Sequence, residues 1–372
     1  MISMEFQNLL KKNKILGHFF SGTFYLACLF VRSIVKKNKR LDESIIIISL
    51  HKIGDSIFSL PAVIHIKENY DSDDIKLLCY QETKIIFENY FKSENILTIT
   101  KDDTKFENRV VSSKGKKLFK ESNPSTIIDL TGSVLSASLI FNSGANKIIG
   151  MNEYHFRSLY TKFVDIRRQP HLMDRYSEVA ELATGNKLAK GKYEYPISYK
   201  KRDKILIHPF AGWGAKEWGL SKFVSLTERV KEKFEASIVF PKGSVKPDLL
   251  SYLNKKKISY TETDTLKNLI EEIKNCSLFV GNDSGPLYLA VLYGKPTFTI
   301  YGPTNPEYSK PFGILHKQIF LNLSCTPIKE QYCILEAGRR CPTNECMKSL
   351  EQDYIYNELL KLINMLEIES IT

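Results

Sequence analysis

Three short stretches of this chain place reactive or phosphate-binding residue types where a strand-like run gives way to a helix-like run. In IIIISLHKIGDSIFSLPA, residues 45–62, the apolar run ends near His51 and a helical pattern begins past Gly54, with Asp55 at the junction. An acid there can cap the helix, its charge favoured by the helix dipole. It can equally serve as a general base if a hydroxyl comes within reach. The stretch alone leaves both open. In HPFAGWGAKEWGLSKF, residues 208–223, a strand ends at His208 and the loop to Gly219 carries Ala211, Gly212, Trp213, Gly214, Lys216 and Trp218. Small residues let backbone approach a ligand, and a lysine meets a phosphate as a point charge. The alternative is a pair of anchoring tryptophans beside a solvated lysine. In VGNDSGPLYLA, residues 280–290, a strand stops at Gly281 and a helix starts near Pro286. Asn282, Asp283, Ser284 and Gly285 then offer backbone N–H groups at a positive helix end, which suits phosphate. A plain helix cap at Asp283 or Ser284 explains the same spacing.

The elements that position these stretches alternate along the chain. SIIIISL, IKLLCY, NILTIT, TIIDLTG and NKIIGMN read as strands, with helical patterns over about 55–68 and 83–90 between the first three. The polar segment 101–125 reads as a loop. Residues 186–203 have little periodicity and suit a linker, after which KILIHPFAG, ASIVFPKG, SLFVGNDSG and KPTFTIYG restart the strands. The helix LSKFVSLTERVKEKF has Ser221 as its expected N-cap, and the last helix spans about 351–367. This is the pattern of parallel sheets covered by helices on both faces, in two α/β halves with a ligand cleft between them.

The 372 residues suit two domains, and 43% hydrophobic with 26% charged residues is ordinary for a chain with a core. A formal net charge of +11 points to an anionic partner. No zinc-finger spacing, aromatic RNA-binding motif or long basic run accompanies it, so nucleic acid is not favoured. No G-x-G-x-x-G follows the first strand, which argues against a dinucleotide oxidoreductase. The first forty residues place the apolar run 15–31 between LLKKNK and KKNKR. That length is close to the minimum for a span. Basic flanks on both sides favour a helix lying on the inner face of the cytoplasmic membrane. A helix packed on the protein's own surface and a true span are the alternatives.

Of seven cysteines, Cys28, Cys79 and Cys276 lie in apolar contexts and read as buried thiols. Cys325, Cys333, Cys341 and Cys346 crowd one irregular stretch, spaced C-x7-C-x7-C-x4-C. That spacing lacks the paired knuckles of ordinary zinc sites. The first expectation is a segment without a ligand, and a metal or disulfide staple is the alternative.

Taken together, HKIGDSIFSLPA, IDLTGSVLSA (128–137), HPFAGWGAKEWGLSKF and VGNDSGPLYLAVLYGKPTFTIYGPTNP resemble glycosyltransferase family 9, whose best-known members are the lipopolysaccharide heptosyltransferases. The resemblance runs in order from about residue 45 to residue 365. It implies a GT-B fold: an acceptor-binding Rossmann-like domain over 41–185, a linker over 186–203 and a nucleotide-sugar-binding domain over 204–325. Residues 326–372 then hold the cysteine-rich stretch and a helix returning to the first domain. It implies an inverting, metal-independent transfer with no cofactor, from ADP-heptose or another nucleotide sugar to a lipid-linked surface glycan. Asp55 matches the general base. Ala211, Gly212, Trp213 and Lys216 match the phosphate-binding loop, and Asp283, Ser284, Gly285 and Tyr288 the donor motif. Asp248, Thr263, Asp264 and Leu266 match the nucleoside pocket more loosely. Tyr288 stands where heptosyltransferases commonly carry His, which leaves another sugar of O-antigen or capsule assembly, or a non-catalytic nucleotide-sugar-binding protein, as alternatives.

Overall fold

The computed structural model describes residues 43–372 except 71–73, 101, 106–109, 142, 153–156, 166–170, 190–192, 202, 369 and 371–372; before residue 43 it describes only Thr23 and Leu26. The expected membrane-surface helix and Cys28 lie outside the described residues. No described helix is long and apolar enough to cross a membrane. The chain forms two compact units, residues 1–167 with 172–190, and residues 168–171 with 191–372.

In the first unit the order is β1 (Ile45–Ser49), α1 (Ile53–Asn69), β2 (Ile75–Tyr80), α2 (Lys84–Phe87), β3 (Ile96–Ile99), β4 (Thr104–Lys105) and β5 (Val110–Val111). It continues with α3 (Ser113–Ser122), β6 (Thr126–Asp129), α4 (Val134–Ile140), β7 (Lys147–Asn152), β8 (Lys162–Asp165) and α5 (Leu172–Thr184). Six strands pair in parallel in the order β3-β2-β1-β6-β7-β8. β1 is buried along its whole length, as a central strand covered on both faces must be, and this explains its unbroken run of isoleucines. The segment expected as a loop over 101–125 instead holds the antiparallel β4–β5 hairpin and helix α3. Its lysines hide a narrow apolar stripe: Phe119 is buried, and Ser112 caps the helix by accepting from Gly115 N at 3.2 Å.

The second unit runs β9 (Lys204–His208), α6 (Leu220–Val230), β10 (Ala236–Pro241), α7 (Pro247–Lys255), β11 (Ser259–Thr263) and α8 (Leu266–Lys274). Then follow β12 (Cys276–Asn282), α9 (Gly285–Leu292), β13 (Thr297–Ile300), β14 (His316–Ile319), α10 (Glu345–Lys348) and α11 (Gln352–Met365). Its sheet is again parallel, ordered β11-β10-β9-β12-β13-β14. In both units the chain winds outward through three strands, returns to the centre and winds the other way. Loops after the first and fourth strands therefore part at the middle of each sheet, the switch point where doubly wound sheets bind ligands.

One expectation is corrected here. Helix α6 is preceded by Gly219, not capped by Ser221; Gly219 holds φ at 117°, a conformation glycine adopts freely, and this starts the helix before Ser221 is reached. The last helix, α11, contributes Ile355, Leu359, Leu362 and Ile363 to the core of the second unit, together with Ile205, Phe223 and Phe298.

Candidate functional site

In the first unit the switch point lies between β1 and β6. Lys52 is the residue preceding α1 and makes no side-chain cap, so Asp55 sits inside the first turn instead of serving as the cap itself. Asp55 is half-buried there. The loop before it is tied across the switch point: Leu50 N donates to Thr131 Oγ1 at 2.9 Å, and His51 Nε2 lies 3.1 Å from Leu130 O. Burial lowers the pKa of His51 despite the nearby Asp55. The matching turn after β6 is organised by Asp129. Its Oδ1 accepts from Thr131 N at 2.9 Å and Gly132 N at 3.2 Å, and its Oδ2 accepts from Tyr160 OH at 2.8 Å. Gly132 is required at φ 57°, and a Cβ there would come within 2.9 Å of Met151 O.

In the second unit the switch point lies between β9 and β12. Asn282 closes the last turn of β12 against the preceding loop, its Oδ1 accepting from Trp218 N at 3.0 Å and its Nδ2 donating to Pro209 O at 2.8 Å. Asp283 follows, buried, with Lys216 Nζ paired to its Oδ2. Tyr288 OH donates to its Oδ1, and Thr304 Oγ1 donates to its Oδ2 at 2.8 Å. Tyr301 OH completes the cluster 3.5 Å from Tyr288 OH. Burial alone would raise the Asp283 carboxyl, but the Lys216 ammonium and the two hydroxyls hold it below the ordinary carboxylate range. Burial and the adjacent carboxylate push the Tyr288 phenol well above its ordinary value, so it stays a donor. The Lys216 ammonium also lies 4.6 Å from the centre of the Trp213 ring, with the Arg339 guanidinium at 5.3 Å.

Ser284 precedes α9 without making the usual cap bond. Its hydroxyl is buried and has no protein partner, which in a native site calls for a water or a ligand.

The structure thus brings Lys216, Asp283 and Tyr288 into one cluster, with Trp213, Ser284 and Gly285 at its border. Gly212 is open on the Cβ side. Ala211 is less available than its place in the motif implies, because its N–H already donates to Glu217 Oε1 at 3.0 Å. Of the two tryptophans only Trp218 is core, its indole N–H on Leu350 O at 2.9 Å. Thr263, Asp264 and Leu266 end β11 and begin α8. Thr263 is buried with its hydroxyl on Phe240 O, and Asp264 is exposed opposite Lys242. Asp248 lies on a separate element, exposed in the first turn of α7. Sequence reasoning misses Thr304, Tyr301, Asn282's side-chain role and Asp129. The one signal for Thr304 is its place just past β13, the strand beside β12.

The model of glycosyltransferase family 9 (heptosyltransferase) matches residues 114–338. The chain belongs to glycosyltransferase family 9. Lipooligosaccharide heptosyltransferase 2 of Campylobacter jejuni strain 81116 is 25% identical over 328 residues, covering 83% of this chain and 96% of the relative. Lipopolysaccharide core heptosyltransferase OpsX of Haemophilus influenzae is 25% identical over 297 residues, covering 73% of this chain and 83% of that protein. Among solved structures, E. coli ADP-heptose lps heptosyltransferase II aligns at a TM-score of 0.65 and 17% identity, over 87% of this chain and 99% of that one. This family 9 glycosyltransferase accordingly has the two-domain GT-B fold that the motifs imply.

Proposed function

We propose that this glycosyltransferase transfers a heptose from ADP-heptose to the core of a lipooligosaccharide or lipopolysaccharide, with inversion at the anomeric carbon. The names of the relatives support the sugar and the acceptor class. The structure of E. coli heptosyltransferase WaaC with ADP-2-deoxy-2-fluoro heptose, at a TM-score of 0.61 and 14% identity, supports the nucleotide. The observation that carries the reading is the second unit's switch point: a buried lysine held by Asp283, Tyr288 and Thr304, next to the unpartnered hydroxyl of Ser284 at a helix start.

A carboxylate next to a diphosphate would repel it, so Asp283 acts by aiming Lys216, not by touching the donor. Lys216, the Ser284 hydroxyl and the first N–H groups of α9 meet the diphosphate, where negative charge grows as the bond to the sugar breaks. The acceptor oxygen forms a bond to the anomeric carbon while the carbon–oxygen bond to the diphosphate breaks, and that electron pair leaves on the nucleoside diphosphate. The acceptor's proton passes to Asp55, a carboxylate at the start of α1. The displacement requires no metal, since Lys216 and the helix end supply the positive charge. Tyr288, standing where heptosyltransferases commonly carry His, keeps a different sugar as the second reading.

Mass-detected transfer with ADP-heptose and a panel of UDP- and GDP-sugars tests this. Turnover with ADP-heptose, lowered at least about a hundredfold in Lys216→Ala and in Asp55→Asn, is expected. Turnover with another sugar nucleotide alone establishes the second reading, and no turnover with any donor overturns both. We further propose that the basic N-terminal forty residues hold the enzyme at the anionic cytoplasmic face of the membrane. Flotation with anionic vesicles, lost in high salt and on removal of residues 1–40, is the expected result.

A further inference from the structure

The stretch from residue 320 to residue 344 contains no helix or strand beyond one isolated bridge, Thr304 with Tyr332. It also exposes two of its large apolar residues, Ile328 at 79% and Ile334 at 85%. So long an irregular segment in a compact unit needs something other than apolar burial to hold it. Its cysteines Cys325, Cys333 and Cys341, and Cys346 in the adjoining helix α10, are free thiols, and all four line a single cavity of about 40 Å³, walled also by Gly302, Pro303 and Leu335. Asn344 N donates to Cys341 Sγ at 3.2 Å, the kind of bond that favours a thiolate. Four sulfurs that line one cavity can converge on a single cation.

We propose that Cys325, Cys333, Cys341 and Cys346 bind one thiophilic divalent ion, zinc or ferrous iron, as a tetrathiolate, and that this ion fixes the segment against the loop carrying Lys216. Among the described residues no three potential ligands already form a metal cage, so binding draws the sulfurs together and releases their protons. Soft thiolate ligands select such ions over magnesium or calcium. Two contacts carry the effect to the donor loop. Trp213 Nε1 donates to Ala337 O at 3.1 Å, and Gly338 packs so closely that an added Cβ would lie 2.9 Å from Ala215 Cβ. On the other wall, Pro303 precedes Thr304, the partner of Asp283. The ion is structural and takes no part in the displacement.

Elemental analysis of the purified full chain, with metal release by a mercurial followed by a metallochromic dye, tests the site. About one zinc or iron per chain is expected. Cys341→Ser should lose it, and Cys341→His should retain it, because a histidine nitrogen can replace one sulfur. The element found distinguishes the two ions. A chain with less than about a tenth of an ion and four freely alkylated thiols, or with two disulfides by intact mass, overturns the proposal. The coupling to the donor loop rests on the function proposed above and has its own readout. ADP should raise the melting temperature of the metal-loaded chain, and metal removal should abolish that shift. A shift retained after removal overturns the coupling while leaving the site, and no shift in the loaded chain counts against the donor reading instead.

Discussion

The two units share one strand order and place a buried aspartate at the end of the fourth strand, yet those aspartates do opposite work. Asp129 ends β6 and is surrounded by Thr131 N, Gly132 N and Tyr160 OH. No cation pairs with it in those contacts, and burial raises its pKa. Asp283 follows β12 and also accepts from a tyrosine hydroxyl, with the Thr304 hydroxyl in place of backbone N–H groups, but Lys216 is added, and its pKa falls. With only neutral donors around it, a buried carboxylate is a fastener for a turn. With one lysine it becomes half of a charge device whose other half can meet phosphate. The first unit carries its candidate acid elsewhere, on half-buried Asp55 in the first turn of α1.

The sharpest way to break the contrast is Lys216→Ala, which should make Asp283 resemble an overburdened Asp129. The pair's side chains are only 11% and 5% exposed, so losing one partner strands a buried charge and should cost about 3–5 kcal/mol. Transfer should fall by about 10²–10³-fold from the lost charge on the leaving group. Lys216→Met with Asp283→Asn should recover most of the stability in urea melts and none of the activity. Recovery of activity in that double variant would remove Lys216 from the donor.

Asp55→Asn has the next largest combined effect on activity and stability, and should separate the two. Loss of a general base should lower turnover about 10²–10⁴-fold. The melting temperature should barely move, since an acid in a first turn contributes only about 0.3–1 kcal/mol. A variant as active as the parent would return Asp55 to being a helix-start charge and nothing more.

The two buried acids should also show opposite pH signatures. Asp283, with its pKa lowered, binds fewer protons folded than unfolded below its ordinary value of 3.8; its stabilisation is complete above that value and is lost as pH falls through the lowered one. Asp129, with its pKa raised, holds its proton longer in the folded state, so stability declines as pH rises from 3.8 towards the raised value. Asp129→Asn should therefore flatten the neutral-side decline in melting temperature at a cost of about 1 kcal/mol in lost hydrogen bonding. Asp283→Asn should remove the loss on the acid side. Identical pH slopes in the two variants would erase the distinction.

Much of this arrangement is legible in the sequence because it is local. The runs IIII, KILI and SLFV read as strands buried on both faces, and Asp55, Lys216 and Asp283 stand in the segments that follow them. What is not legible arises from long-range contact. Thr304 reaches Asp283 from 21 positions downstream, and Ala337 meets Trp213 from 124 away. The edge strands β8 and β14 escape notice because their faces are partly solvated, so KFVD and HKQI carry too few apolar residues to signal a strand. Helix α3 is hidden by its lysines, and the start of α6 is displaced because Gly219 chooses the backbone turn that Ser221 was expected to make.

The smallest effect probes how the second switch point gained its precision from a segment the first unit lacks. Trp213→Phe keeps an aromatic face for the Lys216 ammonium and the Arg339 guanidinium but deletes the indole N–H that reaches Ala337 O. One neutral hydrogen bond is worth about 0.5–1.5 kcal/mol. If that bond only stabilises the fold, the melting temperature should drop slightly with KM for the donor unchanged. If it holds the phosphate loop in register with the cysteine-lined segment, donor KM should rise several-fold at unchanged stability of the second unit's core, and Trp213→Ala should rise further by also losing the ring. The second pattern is expected, because Lys216 is held on one side by Asp283 and faces, on another, the ring that this N–H anchors.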